Sequence, residues 1–89
     1  MEITLLVIFE VLASISGVLM ASSGFPQALK IFKKKSAKEI SLSSRLILLI
    51  GGLIWLVYGV LLSSFAIIIS NVFGTVAEII VLIGYAKYR

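Results

Sequence analysis

Three long apolar runs dominate the pattern of hydrophobic and polar positions along the chain. Uncharged residues fill positions 11–29 and 46–62, and a third run extends over positions 65–86. At about 1.5 Å per helical residue, the first run would be about 28 Å long, close to the hydrocarbon thickness of a bilayer. No run alternates with the period of two expected of a half-buried strand, and an open sheet would leave unpaired backbone groups in lipid. The pattern therefore predicts three transmembrane helices.

These runs set the bounds of one all-α membrane domain over residues 1–89. Helix 1 is predicted over residues 4–34 with a kink near Pro26, helix 2 over residues 42–62 and helix 3 over residues 65–87. The polar pair Ser63-Ser64 predicts a tight turn between helices 2 and 3. Three serines, Ser41, Ser43 and Ser44, are alternative starts for helix 2, because serine is a favoured N-cap residue.

Composition supports the membrane assignment and excludes most catalytic classes. Hydrophobic residues make up 61% of the chain and charged residues 13%, whereas soluble domains have about 25% charged residues. The sequence contains no cysteine and no histidine, so thiolate and imidazole ligands or bases are absent. We expect a protein that is not an enzyme and has no metal or cofactor. Because no basic residue precedes the first run, that run is predicted to be retained rather than removed as a signal peptide.

The basic residues indicate how the helices are oriented. All eight lie in the first connection or at the C-terminus, and with three spans these places share one side: Lys30, Lys33, Lys34, Lys35, Lys38, Arg45, Lys87 and Arg89. The positive-inside rule makes this side cytoplasmic, with the N-terminus and the Ser63-Ser64 turn outside. The lysine cluster is interpreted as a topology signal, with a specific anionic-lipid site as the alternative. Nucleic acid is not an expected partner.

Pro26 interrupts the first helix close to its cytoplasmic end. Its ring removes the N–H that would donate to the carbonyl of Ser22, which predicts a kink. Ser22 and Ser23 offer hydroxyls to that carbonyl, and Gly24 tolerates bending. Two interpretations stay open: a hinge about which the segment from Gln27 onward moves, and a static kink.

These residues carry a family resemblance. The segments "GFPQALKIFKKKSAKEIS", "WLVYG" and "IISNVFG" occur in this order in a chain with three spans. In this respect the sequence resembles the SemiSWEETs, bacterial half-size relatives of the SWEET sugar transporters in the PQ-loop group. The resemblance implies a parallel two-fold homodimer with six helices, a sugar path between protomers and passive alternating access in the bacterial cytoplasmic membrane. Self-association is also expected because three helices enclose too little space for a solute path and its gates.

Two residues stand out as candidate sugar ligands. Trp55 lies eight residues before Ser63 and Asn71 eight after it, so in a hairpin both lie about 12 Å below the turn. An aromatic face can stack on a sugar ring, and a carboxamide offers a donor and an acceptor to hydroxyls. The resemblance implies that Trp55 and Asn71 bind the sugar. Without it, packing and helix association are the alternative roles.

The resemblance also implies roles in gating. Pro26 and Gln27 would form the hinge, Tyr58 would close the outer gate, and Phe25 is a candidate for the inner gate. Bacterial members of the family place an arginine and an aspartate after the Tyr-Gly pair, whereas this chain has Leu62 and Ser64 there. An outer latch is therefore expected to be hydrophobic or built from hydroxyls.

Glu78 does not belong to the family motif. It lies seven residues after Asn71 in the third span, where an unpaired carboxylate would cost about 3 kcal/mol. Glu78 is either a proton-coupling acid or a carboxyl hydrogen-bonded within the bundle. Two other functions therefore stay open: a proton-coupled PQ-loop transporter of an amino acid or other small solute, and a small membrane oligomer that transports nothing. Small residues in the second and third spans are interpreted as helix-packing positions: Gly51, Gly52, Gly59, Ser70, Gly74, Ala77 and Gly84.

Overall fold

The computed structural model describes residues 2–89 as four helical segments. They are α1, Glu2–Ala21; α2, Gly24–Lys34; α3, Leu42–Leu62; and α4, Phe65–Tyr88. α1 and α2 follow each other as one apolar span of 33 residues, so residues 2–89 provide three helices long and apolar enough to cross a membrane. The prediction of an all-α membrane fold is thereby confirmed. Met1, placed on the outer side by the charge pattern, lies outside the described residues.

The first span divides at Ser22 and Ser23, one turn before Pro26. The N–H of Phe25 donates to the carbonyl of Ser22 over 3.0 Å. In an unbroken helix that carbonyl would accept from residue 26, but proline has no N–H to donate. The backbone tightens from i−4 to i−3 pairing there, and Ser23 adds no side-chain cap. The carbonyl of Ser22 therefore accepts from a backbone N–H. The sequence had suggested a serine hydroxyl as its donor.

Serines define both connections that turn the chain. Ser41 is the N-cap of α3, where its hydroxyl accepts from the N–H of Ser44 over 3.3 Å. Ser64 caps α4 in the same way, accepting from Ile67 over 3.4 Å. Between α3 and α4, Ser63 adopts the left-handed conformation with φ 56°, which ends α3 and reverses the chain. Two serines therefore suffice for the connection between the second and third spans.

The helices form a three-helix bundle that is open on one face and is called the layer. Its extents are 52 × 22 × 14 Å, so it is broader than it is deep. α4 packs against α1, α2 and α3, so the helix that comes last in sequence lies in the middle. Because α1 and α3 both pack on α4 and do not close over each other, a solute path between them has no opposite wall within residues 2–89.

The two ends of this layer are packed differently. At the basic end, which carries residues 30–45 and 87–89, a small core joins α2, the following loop and α4. Its buried members are Ala28, Ile31, Ala37 and Val81. The N–H of Ala37 donates to the carbonyl of Tyr88 over 3.2 Å and ties the loop to the end of α4. The opposite end, which carries Ser63 and Ser64, is called the turn end. There α1 contributes no buried residue between Glu2 and Ala21.

Candidate substrate groove

A groove of about 660 Å³ runs along one face of the layer. α4 forms its floor, with the first span on one side and α3 on the other. Four of the seven candidate site residues lie along it: Gln27, Trp55, Asn71 and Glu78. Phe25, Pro26 and Tyr58 are not among its lining residues. Pro26 instead borders a smaller cavity of about 480 Å³ at the basic end, together with Gln27, Lys30, Lys34 and Lys38.

Trp55 presents a large aromatic surface to the groove. Its side chain is 54% exposed, and its ring meets that of Tyr58 edge to face, with centroids 5.5 Å apart and an interplanar angle of 85°. This is a favourable aromatic geometry, because the positive edge of one ring faces the negative face of the other. Tyr58, one turn away on α3, therefore orients the indole without lining the groove itself.

Asn71 faces the groove from α4 with part of its hydrogen-bonding capacity already used. Its Nδ2 donates to the carbonyl of Ile67 over 2.8 Å, which fixes the carboxamide along the helix. The carbonyl oxygen and one N–H of the amide are not used in that bond. Trp55 and Asn71, matched in depth by counting from Ser63, thus lie along the same groove, although their roles as sugar ligands remain predictions.

Small residues shape the groove in two different ways. A Cβ built on Gly17 of α1 would overlap the hydroxyl of Ser70, so this glycine permits close packing of α1 on α4. A Cβ on Gly51 of α3 would meet nothing within 4 Å. Gly51, interpreted from sequence as a packing position, instead leaves space in the groove one turn from Trp55.

Glu78 pairs with Arg45 at the basic end of the groove. The Nη1 of Arg45 donates to Oε1 of Glu78 over 2.9 Å. Glu78 is 8% exposed, and its Oε2 has no hydrogen-bond partner within residues 2–89. The hydroxyl of Thr75, one turn away, is likewise buried and unpaired among these residues. Glu78 thus has an arginine as its hydrogen-bond partner within the protomer, and its role as a proton-coupling acid stays a prediction.

Arg45, assigned from sequence to the basic loop, was not predicted to pair with Glu78. Arg45 lies 18 residues before Ser63 and Glu78 lies 15 after it, so their depths differ by about 4.5 Å in an antiparallel hairpin. Counting residues from Ser63, which placed Trp55 and Asn71 at one depth, would also have placed Arg45 and Glu78 at similar depths. The overlooked signal was that a carboxylate inside an apolar span requires a partner at its own depth.

Glu10 forms a second contact that the sequence did not suggest. Its Oε1 accepts from the backbone N–H of Ala66 over 2.9 Å, in the first turn of α4. A carboxylate is favourable there because the N–H groups at a helix N-terminus are unpaired and carry partial positive charge. A carboxylate therefore joins α1 to α4 at the turn end of the protomer.

Comparison with known proteins identifies the family. Residues 7–89 match the family described as "Sugar efflux transporter for intercellular exchange". The chain belongs to this family. Its members are sugar transporters and not enzymes, in agreement with the non-enzymatic assignment from composition.

Two curated relatives and one solved structure place the chain near the SemiSWEET members of the family. "Sugar transporter SemiSWEET" of Bradyrhizobium diazoefficiens is 41% identical over 46 residues, which are 52% of this chain and 54% of that protein. The protein of the same name from Leptospira biflexa is 33% identical over 58 residues, 65% of this chain and 68% of that one. The match thus spans about half the length of the first relative.

The structural match extends over almost the whole chain. A structure described as "Crystal structure of a bacterial homologue of SWEET transporters" is 30% identical, with a TM-score of 0.87, and the match covers 92% of this chain and 99% of that one. The resemblance seen in the Pro-Gln, Trp and Asn segments is therefore confirmed at the level of family and fold.

Proposed function

We propose that the protein is a facilitative sugar transporter, a uniporter that moves a mono- or disaccharide across the membrane by alternating access. The observation that carries the proposal is the joint position of Trp55 and Asn71 along one open groove in a chain of a sugar transporter family. The groove joins an aromatic face with an amide, the two chemistries that a neutral polyol needs. No bond is made or broken in this function.

The functional unit is a parallel two-fold homodimer. The groove is lined by the first span, α3 and α4 and has no opposite wall within the described part of the protomer, and a second copy related by a two-fold axis along the membrane normal supplies one. Two grooves then face each other, and the sugar lies between two Trp55 rings and two Asn71 amides. The extensive exposed apolar surface of α1 and α3 is shared between lipid and this interface.

Alternating access uses the joint in the first span. The backbone between α1 and α2 is weakest at Ser22 and Ser23, where i−4 pairing is interrupted ahead of Pro26. Motion there, with Pro26 and Gln27 as the hinge, lets α2 swing relative to α1 and brings Phe25 toward the path as the inner gate. Tyr58 acts as the outer gate and, through its edge-to-face contact, couples closure to the orientation of Trp55.

The protein occupies a bacterial cytoplasmic membrane with its N-terminus outside. Residues 30–45 and the C-terminus face the cytoplasm, because the basic residues of the chain gather at that end. The direction of net transport then follows the sugar gradient, since a uniporter has no coupling ion.

Uptake of radiolabelled glucose and sucrose into proteoliposomes, without an imposed ion gradient, tests the proposal. Wild type is expected to equilibrate at least one of them with saturable kinetics, and Trp55→Ala and Asn71→Ala to lower the rate by about tenfold or more. Ile54→Ala is the matched control, since Ile54 neighbours Trp55 and is 63% exposed without lining the groove.

Two alternative results would replace the proposal. Solute uptake that appears only with a proton gradient and is lost in Glu78→Gln would indicate a proton-coupled transporter. A folded dimer that carries no solute, and whose cellular role survives both Trp55→Ala and Asn71→Ala, would indicate a non-transporting membrane oligomer.

A further inference from the structure

The ion pair of Arg45 and Glu78 lies on the same groove as Trp55 and Asn71 but at its basic end. Arg45 precedes Trp55 by ten residues on α3, and Glu78 follows Asn71 by seven on α4, which places the pair about 10–15 Å further along the helices. Neither residue lies in the three segments that carry the family resemblance. The pair therefore forms a polar position distinct from the aromatic and amide site.

Arg45 retains hydrogen-bonding capacity toward the groove. A guanidinium has five N–H donors, and within residues 2–89 this one makes a single hydrogen bond, to Glu78. Its side chain is 20% exposed and lines the groove. Donors that are held in place yet accessible are what the oxygen atoms of sugar hydroxyls require.

Glu78 balances the charge of that donor group. The carboxylate is buried, with a side chain 11% exposed, and its bond to Arg45 makes the pair neutral as a whole. Charges are costly in an apolar groove, and a hydrophobic pair of similar volume is often at least as stable as a buried ion pair. A neutral pair that still offers donors is therefore better explained by recognition of a polar solute than by stability.

We infer that Arg45 and Glu78 form a second sugar-contacting position, which restricts the groove to neutral polyhydroxy solutes. Arg45 donates to hydroxyl oxygens of the sugar, and Glu78 cancels the positive charge that would otherwise attract anionic sugars such as uronates. This inference rests on the proposed transport function and adds a determinant of charge selectivity to it.

Charge-changing variants test the inference through a ratio of uptake rates. In Glu78→Gln the amide can still accept from Arg45, but the guanidinium is no longer neutralised. The rate for D-glucuronate relative to D-glucose is expected to rise about tenfold over wild type. Arg45→Gln leaves the opposite charge, so uptake of the cationic sugar D-glucosamine relative to glucose should rise instead. Glu10→Gln is the matched control, since it removes a carboxylate outside the groove and should leave both ratios unchanged.

A double variant keeps the test decisive when single variants fail to fold. Arg45→Gln with Glu78→Gln has no uncompensated charge, and its two amides can bond to each other. We expect it to reject glucuronate as wild type does, but to have a severalfold higher KM for glucose because the guanidinium donors are lost. Size-exclusion chromatography and circular dichroism establish folding for every variant before uptake is compared.

The outcomes separate this inference from the proposed function. Wild-type glucose uptake together with unchanged ratios in folded single variants would overturn the inference and leave the transport function intact. An unchanged KM in the double variant would do the same. A wild type that carries no neutral sugar would overturn the transport function and the inference with it.

Discussion

The basic end and the turn end of the layer differ in what holds their helices together. At the basic end Ile31 and Val81 are 3% and 0% exposed, and the loop after α2 is bonded to the end of α4. At the turn end α1 has no buried residue, and Gly59 is the single buried residue of α3. The basic end is therefore self-sufficient within one protomer, whereas the turn end depends on what surrounds it.

This difference suggests which part of the protomer moves as a unit. α2, the loop and the C-terminal half of α4 share one core, so they are expected to move together. α1 is attached more loosely, through Glu10 and the close contact at Gly17, and the interrupted backbone at Ser22 and Ser23 separates it from α2. A joint between a packed and a loosely packed region is where alternating access would concentrate its motion.

The largest expected effect comes from truncating a buried valine at the basic end, with an exposed valine of α1 as the comparison at the turn end. Val81→Ala should lower the free energy of unfolding by about 2 kcal/mol, because it leaves a cavity in the core. Val7→Ala, at a position 57% exposed in α1, should change it by less than about 0.5 kcal/mol. Unfolding by SDS in dodecyl maltoside micelles measures both. Equal losses would mean that a tight protein interface, and not lipid, covers the turn end.

The joint between the two regions is tested at Pro26. In Pro26→Ala the restored N–H can donate to the carbonyl of Ser22 and fuse α1 with α2 into one straighter helix. We expect sugar exchange to slow by about tenfold, with little change in the amount of folded protein. Pro26→Gly, which lacks the ring but keeps a flexible backbone, should retain part of the rate. Wild-type exchange in Pro26→Ala would mean that the bend is static.

The attachment of α1 is tested at Glu10. Glu10→Ala removes the acceptor for the N–H of Ala66 and should cost about 1 kcal/mol. Hydrogen exchange at the amide of Ala66 is the specific readout, and it should accelerate in this variant. Glu2→Ala is the matched control, because it removes another carboxylate from α1. Unchanged exchange at Ala66 in Glu10→Ala would show that Glu10 does not hold α1 to α4.

The smallest effects are expected at the two serine caps. Ser41→Ala at the basic end and Ser64→Ala at the turn end each remove one long hydrogen bond, of 3.3 and 3.4 Å. Each should cost about 0.5 kcal/mol, the low end for helix caps. The same micelle titration compares them. A clearly larger loss for Ser64→Ala would mean that the turn contributes more to the turn end than its few buried residues indicate.

Sequence patterns were sufficient for features that depend on counting along one helix or across one tight turn. The apolar runs predicted three membrane-length helices, and Trp55 and Asn71, which counting from Ser63 paired, both line the groove. The location of the break at Ser22 and Ser23 was harder, because a proline shows which hydrogen bond is lost but not how the preceding turn adjusts.

Contacts that depend on which faces of two helices meet were not predicted from sequence. The bond from Glu10 to Ala66 joins residues 56 positions apart, and that from Arg45 to Glu78 joins residues 33 apart. Depth could have been counted for the second pair, but the facing of the two helices could not. Both contacts involve carboxylates within or beside apolar runs, and such residues are the ones whose partners should be sought first.

The central position of α4 has a consequence for biosynthesis. α1 and α3 are made first, yet within residues 2–89 they pack on α4 rather than on each other. Until α4 leaves the ribosome and enters the bilayer, the earlier spans have no helix to assemble with. Glu10 and Arg45 also lack their hydrogen-bond partners until then, because Ala66 and Glu78 lie on α4. Assembly of the protomer is therefore a late event of translation, completed by the last span to be inserted.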